Sequence, residues 1–360
     1  MPDPTTAGPD DRHGEESSGP GAARAFRVAT LDEVAQRAGV SRSVASRAMN
    51  NSRNVSAPKR EAVARAAAEL GYVPNPTARA LATSTAGSVV LALPDDDPAL
   101  FGDPFFSQVL VGVAAALDRS ELNLTLMLAS SERGRERLAR VLRSRRSDGV
   151  MLMGLRKDDP LGRLAAQTDV PVVLGGRPLD ADARWYVDVD NRGGARLAAE
   201  HLLRSGRRHL AAIVGPVDLQ ASVARHHGFA DAVAAERLPA DWVEHADFTY
   251  EGGAAAMTRL LAAHPEIDGV FAASDYMASG AMRALRAAGR RIPEDVAVVG
   301  FDDLEIARHT EPPLTTVSQP IRGLGHEMAT MLIRLIDGDT PTPIILPTHL
   351  VVRGSAPGPV

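Results

Sequence analysis

From Gly87 onward the chain alternates between two kinds of apolar segment, and this alternation restricts its fold more than any other feature. Short, near-continuous runs ("SVVLALP", "LTLMLAS", "GVMLMG", "PVVLGG", "LAAIVG", "GVFAAS", "VAVVGF") are separated by stretches with helical apolar spacing. A strand that is apolar at every residue must be covered on both faces, and an intervening helix supplies the cover. The pattern therefore predicts parallel sheets. Helices are expected over 105–117, 194–203, 224–235 and 277–288. Seven or more such units suggest two doubly wound halves rather than one sheet. Open α/β sheets bind ligands beyond the carboxyl ends of their strands. Asp95, Ser130, Gly176, Asp275 and Asp302 fall at those ends. Two halves facing each other would form a cleft lined by them.

At 360 residues the chain is long enough for two or three domains. Aromatic residues make up only 4% of it, so the core must be built largely from Ala, Val and Leu. No apolar run approaches the ~18 residues needed to cross a bilayer. The acidic, Pro/Gly-rich start has neither a basic n-region nor an apolar h-region, so a cytoplasmic protein is expected rather than a membrane or exported one. The absence of cysteine excludes disulfides, thiol catalysis and zinc fingers.

The net charge of −5 argues against nucleic acid, but its distribution argues for it. Residues 1–23 carry −4, residues 24–86 carry +6 and the remainder −7. A small basic module on a large acidic body suggests local contact with phosphate. Within that module Thr30-Leu31-Asp32-Glu33 has the form of a capping box, followed by Leu31, Val34, Ala35 and Ala38 on one helix face. Gly39 can end that helix and Ser41 can cap a second. On the second helix Val44, Ala45 and Ala48 face inward, and Arg42, Ser43, Ser46, Arg47 and Asn50 face out. A third helix, from Ser56 with Pro58 in its first turn, would bury Val63, Ala67 and Leu70 and stop at Gly71. The first two helices form a helix-turn-helix, whose second helix normally enters the DNA major groove. Arg42 and Arg47 could each donate two bonds to a guanine, and the serines and Asn50 could reach phosphates or base edges. A generic helical hairpin with a solvated arginine face is the bland alternative. The stretch "PNPTARALATS" allows only about two helical turns, so it is either a linker or a helix formed on binding.

The stretch "TLDEVAQRAGVSRSVASRAMN", with "VSAPKREAVARAAAELGYVPNPTARAL", resembles the start of lactose-repressor (LacI/GalR) family transcription regulators. The segments "DPFFSQVLVGV", "VDVDNRGGARLAAEHLLRSGRRHLAAIVG", "RHHGFADAV", "IPEDVAVVGFDD" and "PPLTTVSQP" resemble that family's effector domain, in order. The resemblance runs from Thr30 to Arg353. It implies an α/β protein with a helix-turn-helix domain at 27–73 after a disordered tail at 1–26. A hinge helix and linker at 74–86 and a two-lobed, periplasmic-binding-protein-like domain at 87–360 would follow. Lobe 1 would hold about 87–189 and 317–345, and lobe 2 about 190–316 and 346–353. The protein would bind palindromic operator DNA as a homodimer, without cofactor or metal. Its end, "VVRGSAPGPV", lacks the leucine heptads of tetrameric members.

The resemblance also implies residue roles. Ser41, Arg42, Ser43, Ser46, Arg47 and Asn50 would contact DNA, with Asn75, Ala78 and Leu81 on the hinge helix. Leu81 would wedge into the minor groove, unstacking a step to gain a bent, better-wrapped duplex. In the cleft, Arg225 and Asp302 match the ligand-binding arginine and carboxylate, and Phe105, Phe106 and Phe248 match aromatic positions. Phe271, Ser274 and Asp275 complete the effector set. Arginine, carboxylate and an aromatic plate suit a polyhydroxylated ring, so a sugar is expected, with a purine-like base as the alternative. Taken singly, Arg225 could be a surface helix residue, Asp302 a turn residue and Phe248 a core residue. Four features depart from the family pattern: Val44-Ala45 replaces Thr-Val, Arg207 replaces His, Ser274-Asp275 replaces the commoner Asn-Asp, and Gly175-Gly176 replaces a position that is acidic in some sugar binders.

Two other classes share parts of this pattern. No G-x-G-x-x-G after a strand, P-loop or G-x-S-x-G elbow occurs, so an α/β enzyme is unsupported. A transport-type solute-binding protein would share the two-lobed architecture, but not the basic N-terminal module.

Overall fold

The computed structural model describes residues 29–50, 54–73, 85–93, 104–129, 131–144, 146–179 and 183–358. The expected tail at 1–26, Asn75, Ala78 and Leu81 of the hinge helix, Asp95 and Ser130 lie outside these residues. The chain forms two compact units that divide between Ala82 and Thr83.

The first unit contains α1 (Leu31–Arg37), α2 (Arg42–Met49) and α3 (Ala57–Leu70). The capping box is complete: Glu33 N donates to Thr30 Oγ1 at 3.3 Å, and Thr30 N donates to Glu33 Oε2 at 2.8 Å. Gly39 and Gly71 take the left-handed φ that ends α1 and α3. Val34, Ala45 and Val63 are fully buried at the centre, with Ala35, Ala48, Ala66 and Ala67 around them. These small side chains let three short helices approach closely. Leu70, expected inward, is instead 37% exposed. Tyr72, just beyond Gly71, folds back onto the cluster and covers that end.

The second unit is two-lobed. Lobe 1 contains β1 (Ser88–Leu93), β2 (Asn123–Leu128), β3 (Gly149–Met153), β4 (Val172–Gly175), β5 (Tyr186–Val189) and β11 (Ile344–Leu346). Their spatial order is β11-β5-β4-β3-β1-β2. Its helices are α4 (Pro104–Leu117), α5 (Glu132–Ser144), α6 (Pro160–Gln167) and α12 (Ile321–Ile336). Lobe 2 contains β6 (Leu210–Val214), β7 (Val243–His245), β8 (Gly269–Ala272), β9 (Ala297–Asp302), β10 (Thr315–Ser318) and β12 (His349–Val351). Their order is β12-β10-β9-β8-β6-β7. Its helices are α7 (Asn191–Arg204), α8 (Gln220–Ala235), α9 (Tyr250–Ala263), α10 (Asp275–Ala287) and α11 (Ile306–His309). The strands pair in parallel except β12, which is antiparallel to β10. None of the described helices is long and apolar enough to cross a membrane.

The seven apolar runs read from the sequence are β1–β4, β6, β8 and β9, and all are largely buried except the edge strand β2. Three crossovers join the lobes: β5 to α7, β10 to α12, and β11 to β12. Two of them are tied together, because Asp190 N donates to Leu346 O at 2.9 Å and Thr348 Oγ1 to Asp190 O at 3.2 Å. The entry into lobe 1 is also fixed. Asp148 accepts from Ala86 N at 2.6 Å through Oδ1 and from Ser88 N at 3.1 Å through Oδ2. Arg207, the departure from the family's histidine, has a local role: its Nη2 donates to Pro293 O at 2.6 Å and its Nη1 to Glu294 O at 3.3 Å.

The helices of each lobe pack in pairs at backbone distance. A Cβ at Gly112 of α4 would overlap the Arg322 carbonyl of α12, and one at Gly280 of α10 would overlap the Tyr250 carbonyl of α9. Rigid backbone cannot yield as a side-chain end would. Gly280→Ala is therefore expected to destabilise the protein by about 1–3 kcal/mol through overpacking, read as a lower urea midpoint at unchanged slope.

Candidate DNA-reading helix and effector cleft

On α2, Arg42, Ser43 and Arg47 are exposed, while Ser46 and Asn50 are half-buried. Ser41 is the N-cap: its Oγ accepts from Val44 N at 3.4 Å and lies 3.1 Å from Ser43 Oγ. Arg42 Nε lies 3.4 Å from Asp32 Oδ1, and Arg47 Nε donates to Ser43 O at 3.2 Å. These are weak, solvent-exposed bonds. Exchanging them for phosphate or base acceptors therefore costs little, and the helix keeps both arginines on its outer side.

The second candidate site is a cavity of about 570 Å³ between the lobes, within the usual ~300–1,000 Å³ range of small-molecule sites. Of the expected effector residues, Phe105, Phe106, Arg225, Phe248, Ser274 and Asp302 line it. Arg225, on α8, is the centre of a buried polar nest. Its Nε donates to Asn191 Oδ1 at 2.8 Å, and its Nη1 donates to Ala273 O at 2.6 Å and to Asp302 Oδ1 at 3.3 Å. The guanidinium also lies 3.7 Å from the centre of the Phe301 ring. Burial pushes the Arg225 pKa down, and the charges of Asp302, Asp188 and Asp275 pull it back. The same Asp302 oxygen also accepts from Gln319 Nε2, at 2.5 Å.

Two aromatic walls flank this nest. Phe105 and Phe106 meet edge-to-face at 5.2 Å. Phe248 has a φ of 66°, a left-handed conformation that a bulky residue rarely adopts. Its ring occupies the space where a Cβ on Gly215 would lie. Asp302 is also in positive φ, at 114°. Strain of this kind gathers at ligand sites, where the surroundings hold a residue in one productive orientation.

Two expected effector residues do not line the cavity. Phe271 is fully buried in lobe 2, stacked on Phe229 with ring centres 6.0 Å apart. It lies in the middle of β8, where the side chain points into the sheet–helix layer. Asp275 is fully buried at the start of α10 and is spent on structure. Its Oδ2 accepts from Leu304 N at 2.7 Å and its Oδ1 from Thr316 Oγ1 at 2.5 Å, leaving no free face toward a ligand. Ser274 caps the same helix, accepting from Met277 N at 3.2 Å.

Among the cavity residues not singled out from the sequence are Asp188, Asn191 and Gln319. Each lies beside a lobe crossover. Asp188 Oδ1 accepts from Val189 N at 2.8 Å and from Asn191 Nδ2 at 3.0 Å. Burial raises the Asp188 pKa, against the pull of the Val189 and Arg177 backbone amides and the charges of Arg177 and Arg225. β4 and β5 are paired here, with Gly175 opposite Val187 and Gly176 N donating to Val187 O at 2.8 Å. Asp188 thus supplies a carboxylate beside Gly175-Gly176. The signal that marked Asp302, a polar residue ending a strand, also holds for Asp188, but β5 is too short and mixed to be read as a strand.

This architecture is that of a ligand-gated DNA-binding regulator, and comparison with known proteins agrees. Residues 30–75 match the model for bacterial regulatory proteins of the lacI family, and residues 199–356 that for a periplasmic binding protein-like domain. The chain belongs to the lacI family. It is 46% identical over 337 residues to the HTH-type transcriptional regulator CelR of Thermobifida fusca, covering 91% of this chain and 98% of that one. It is 35% identical over 335 residues to the ribose operon repressor of Halalkalibacterium halodurans, covering 92% and 98%. Among solved structures it is similar to a CelR–cellobiose complex, with TM-score 0.72, 44% identity and coverage of 91% and 99%. It is also similar to the lac repressor dimer bound to operator and the anti-inducer ONPF, with TM-score 0.80, 27% identity and coverage of 92% and 100%.

The buried carboxyl of Asp275 has a stability consequence. Burial, and then the charge of Asp302, hold its pKa well above the ordinary 3.8, against its bonds to Thr316 and Leu304. The folded chain therefore holds that proton to higher pH than the unfolded chain. Stability is undiminished below the unfolded pKa and falls as pH rises from about 3.8 through the raised value. Asp275→Asn, which cannot ionise, is expected to flatten this part of the stability–pH curve, measured by urea unfolding at a series of pH values.

Proposed function

We propose that this protein is a cytoplasmic repressor that binds a pseudo-palindromic operator as a homodimer. We propose also that its effector is a short glucose saccharide of the cellobiose type, held between the lobes. It acts by binding and not by catalysis. The observation that carries the effector reading is the nest of Arg225, Asp302, Asn191, Asp188 and Gln319 beside Phe248 and the Phe105–Phe106 pair. Charged and amide groups can donate to and accept from ring hydroxyls, while the aromatic faces cover the apolar faces of a pyranose. The similarity to a CelR structure holding cellobiose favours this saccharide over other polyols.

Regulation requires the effector to bind one lobe arrangement more tightly than the other. Lobe 1 supplies Phe105, Phe106 and Asp188, and lobe 2 supplies Arg225, Phe248 and Asp302, so a molecule touching both sets favours closure. Asp148 holds the chain at Ala86 and Ser88, so the start of lobe 1 is tied to the loop before β3.

The DNA half of the reading rests on α2. Arg47→Ala is expected to cost about 1–3 kcal/mol in operator binding and to relax discrimination at one base pair. Quantitative gel shifts on operator and scrambled duplexes check this, and equal losses on both would refute the assignment. The effector half rests on Arg225. In calorimetry with cellobiose, glucose, ribose and adenine, cellobiose is expected to bind and to change operator affinity. Arg225→Ala is expected to weaken that binding at least tenfold, since each charge-assisted bond lost is worth about 1.5–3 kcal/mol. Equal binding by the variant would place the effector elsewhere.

A further inference from the structure

The cleft has two ends of different construction. One lies at the crossovers, where Asp188, Asn191, Asp302 and Gln319 form the polar nest. The other lies where the loop after β3 meets the loop after β6. There Arg156 of lobe 1 reaches Asp218 of lobe 2, with Nη1 at 3.0 Å from Oδ1 and 3.2 Å from Oδ2. The backbone joins at the same place: Lys157 N donates to Asp218 O at 2.8 Å. Arg156 lines the cavity, as do Leu219 and Gln220, which directly follow Asp218. The paired side chains are nonetheless 41% and 38% exposed, so the pair stands at the edge of the cavity and is not enclosed within it. It is a wall.

Strand order gives the length this wall encloses. In lobe 1, β5 at the crossover is separated from β3 by β4. In lobe 2, β10 is separated from β6 by β9 and β8. Two to three strand spacings of about 4.8 Å put the wall roughly 10–15 Å from the nest. Gln220 adds a second feature at this end: its Oε1 is buried and accepts no hydrogen bond. A buried acceptor left without a donor is costly unless a ligand hydroxyl or a water supplies one.

We infer that the Arg156–Asp218 clasp sets the upper length of the effector. It closes the cleft behind a saccharide of two rings, whose distal ring donates a hydroxyl to Gln220 Oε1. This rests on the saccharide reading above. A third ring has to pass through the position of the clasp and separate Arg156 from Asp218. An exposed ion pair is weak enough to open for entry. Once closed, it gives the two-ring ligand a complete wall that a three-ring ligand forfeits, and the lobes cannot come together around the longer molecule.

The test compares the β-1,4-linked glucose disaccharide and trisaccharide by calorimetry on the full-length protein, in wild type, Asp218→Ala and Asp218→Asn. Circular dichroism and thermal unfolding verify that the variants fold. Wild type is expected to prefer the disaccharide by more than tenfold. Asp218→Ala is expected to reduce that ratio at least fivefold, mainly by gaining trisaccharide affinity, with Asp218→Asn intermediate. A ratio unchanged in folded Asp218→Ala overturns the inference, as does wild type binding both saccharides equally. Both of those results leave the saccharide reading standing. Wild type binding neither saccharide overturns that reading, and the inference with it.

Discussion

The buried contact between Arg225 and Asp302 organises the two-lobed unit. Both side chains are less than one-tenth exposed, and withdrawing two such charges from water costs several kcal/mol per ion. An apolar pair of similar volume would serve folding at least as well. What the ion pair provides is orientation. Asp302 stands at positive φ with its Oδ1 shared between Gln319 and Arg225, and Arg225 reaches on to Asn191. Gln319 and Asn191 belong to two different crossovers. One charged contact therefore ties the strand end of lobe 2 to two segments that lead into lobe 1. Groups that would bond to a ligand are the same groups that sense the hinge.

This shared use explains why the site is polar at its base and aromatic at its walls. The base must carry hydrogen bonds that survive in a low-dielectric interior, where an unmet polar group is expensive. The walls must separate to admit a ligand, and flat apolar faces part without leaving broken hydrogen bonds. Phe105 and Phe106 on α4 and Phe248 before α9 come from opposite lobes, so opening draws these apolar faces apart, and the Arg156–Asp218 pair is a polar contact that opening breaks. Asp148, far along the chain from the nest, does for lobe 1 what Gln319 does for the hinge. It makes a connecting segment part of the rigid body.

Much of this was legible in the sequence, and the limits are physical. Apart from the edge strand β2, the strands that announced themselves are largely buried, because burial on both faces leaves an uninterrupted apolar run. β5, β7, β10, β11 and β12 are three or four residues long, and all but the three-residue β11 mix polar with apolar residues, so no long run marks them. That is why Asp188 and Gln319, at the ends of β5 and β10, escaped notice while Asp302, after the long apolar β9, did not. Asp275 and Phe271 failed for the opposite reason. Both lie where a site residue would lie in sequence, but a one-residue change of side-chain direction separates Ser274, which faces the cavity, from Asp275, which faces Thr316 and Leu304. Periodicity places a strand end and does not say which way its last side chain turns. In the helical unit the capping box and glycine stops were readable because they are local. Leu70 was misread because Tyr72, outside the helical repeat, covers the position.

The three crossovers lie side by side, and two of them are bonded to each other through Asp190, Leu346 and Thr348. In mechanical terms they form a flexure: a ribbon compliant about one axis and stiff about the others. Two lobes joined by a single strand could twist, shear or splay, and each ligand shape would drive its own mixture of movements. Two lobes joined by a ribbon have fewer soft coordinates, and a molecule that binds one lobe arrangement more tightly shifts the pair along them. Cavity residues such as Gly175, Gln220 or Phe248 can be exchanged to suit another small molecule without redesign of the transmission, which allows one architecture to serve regulators with unrelated effectors.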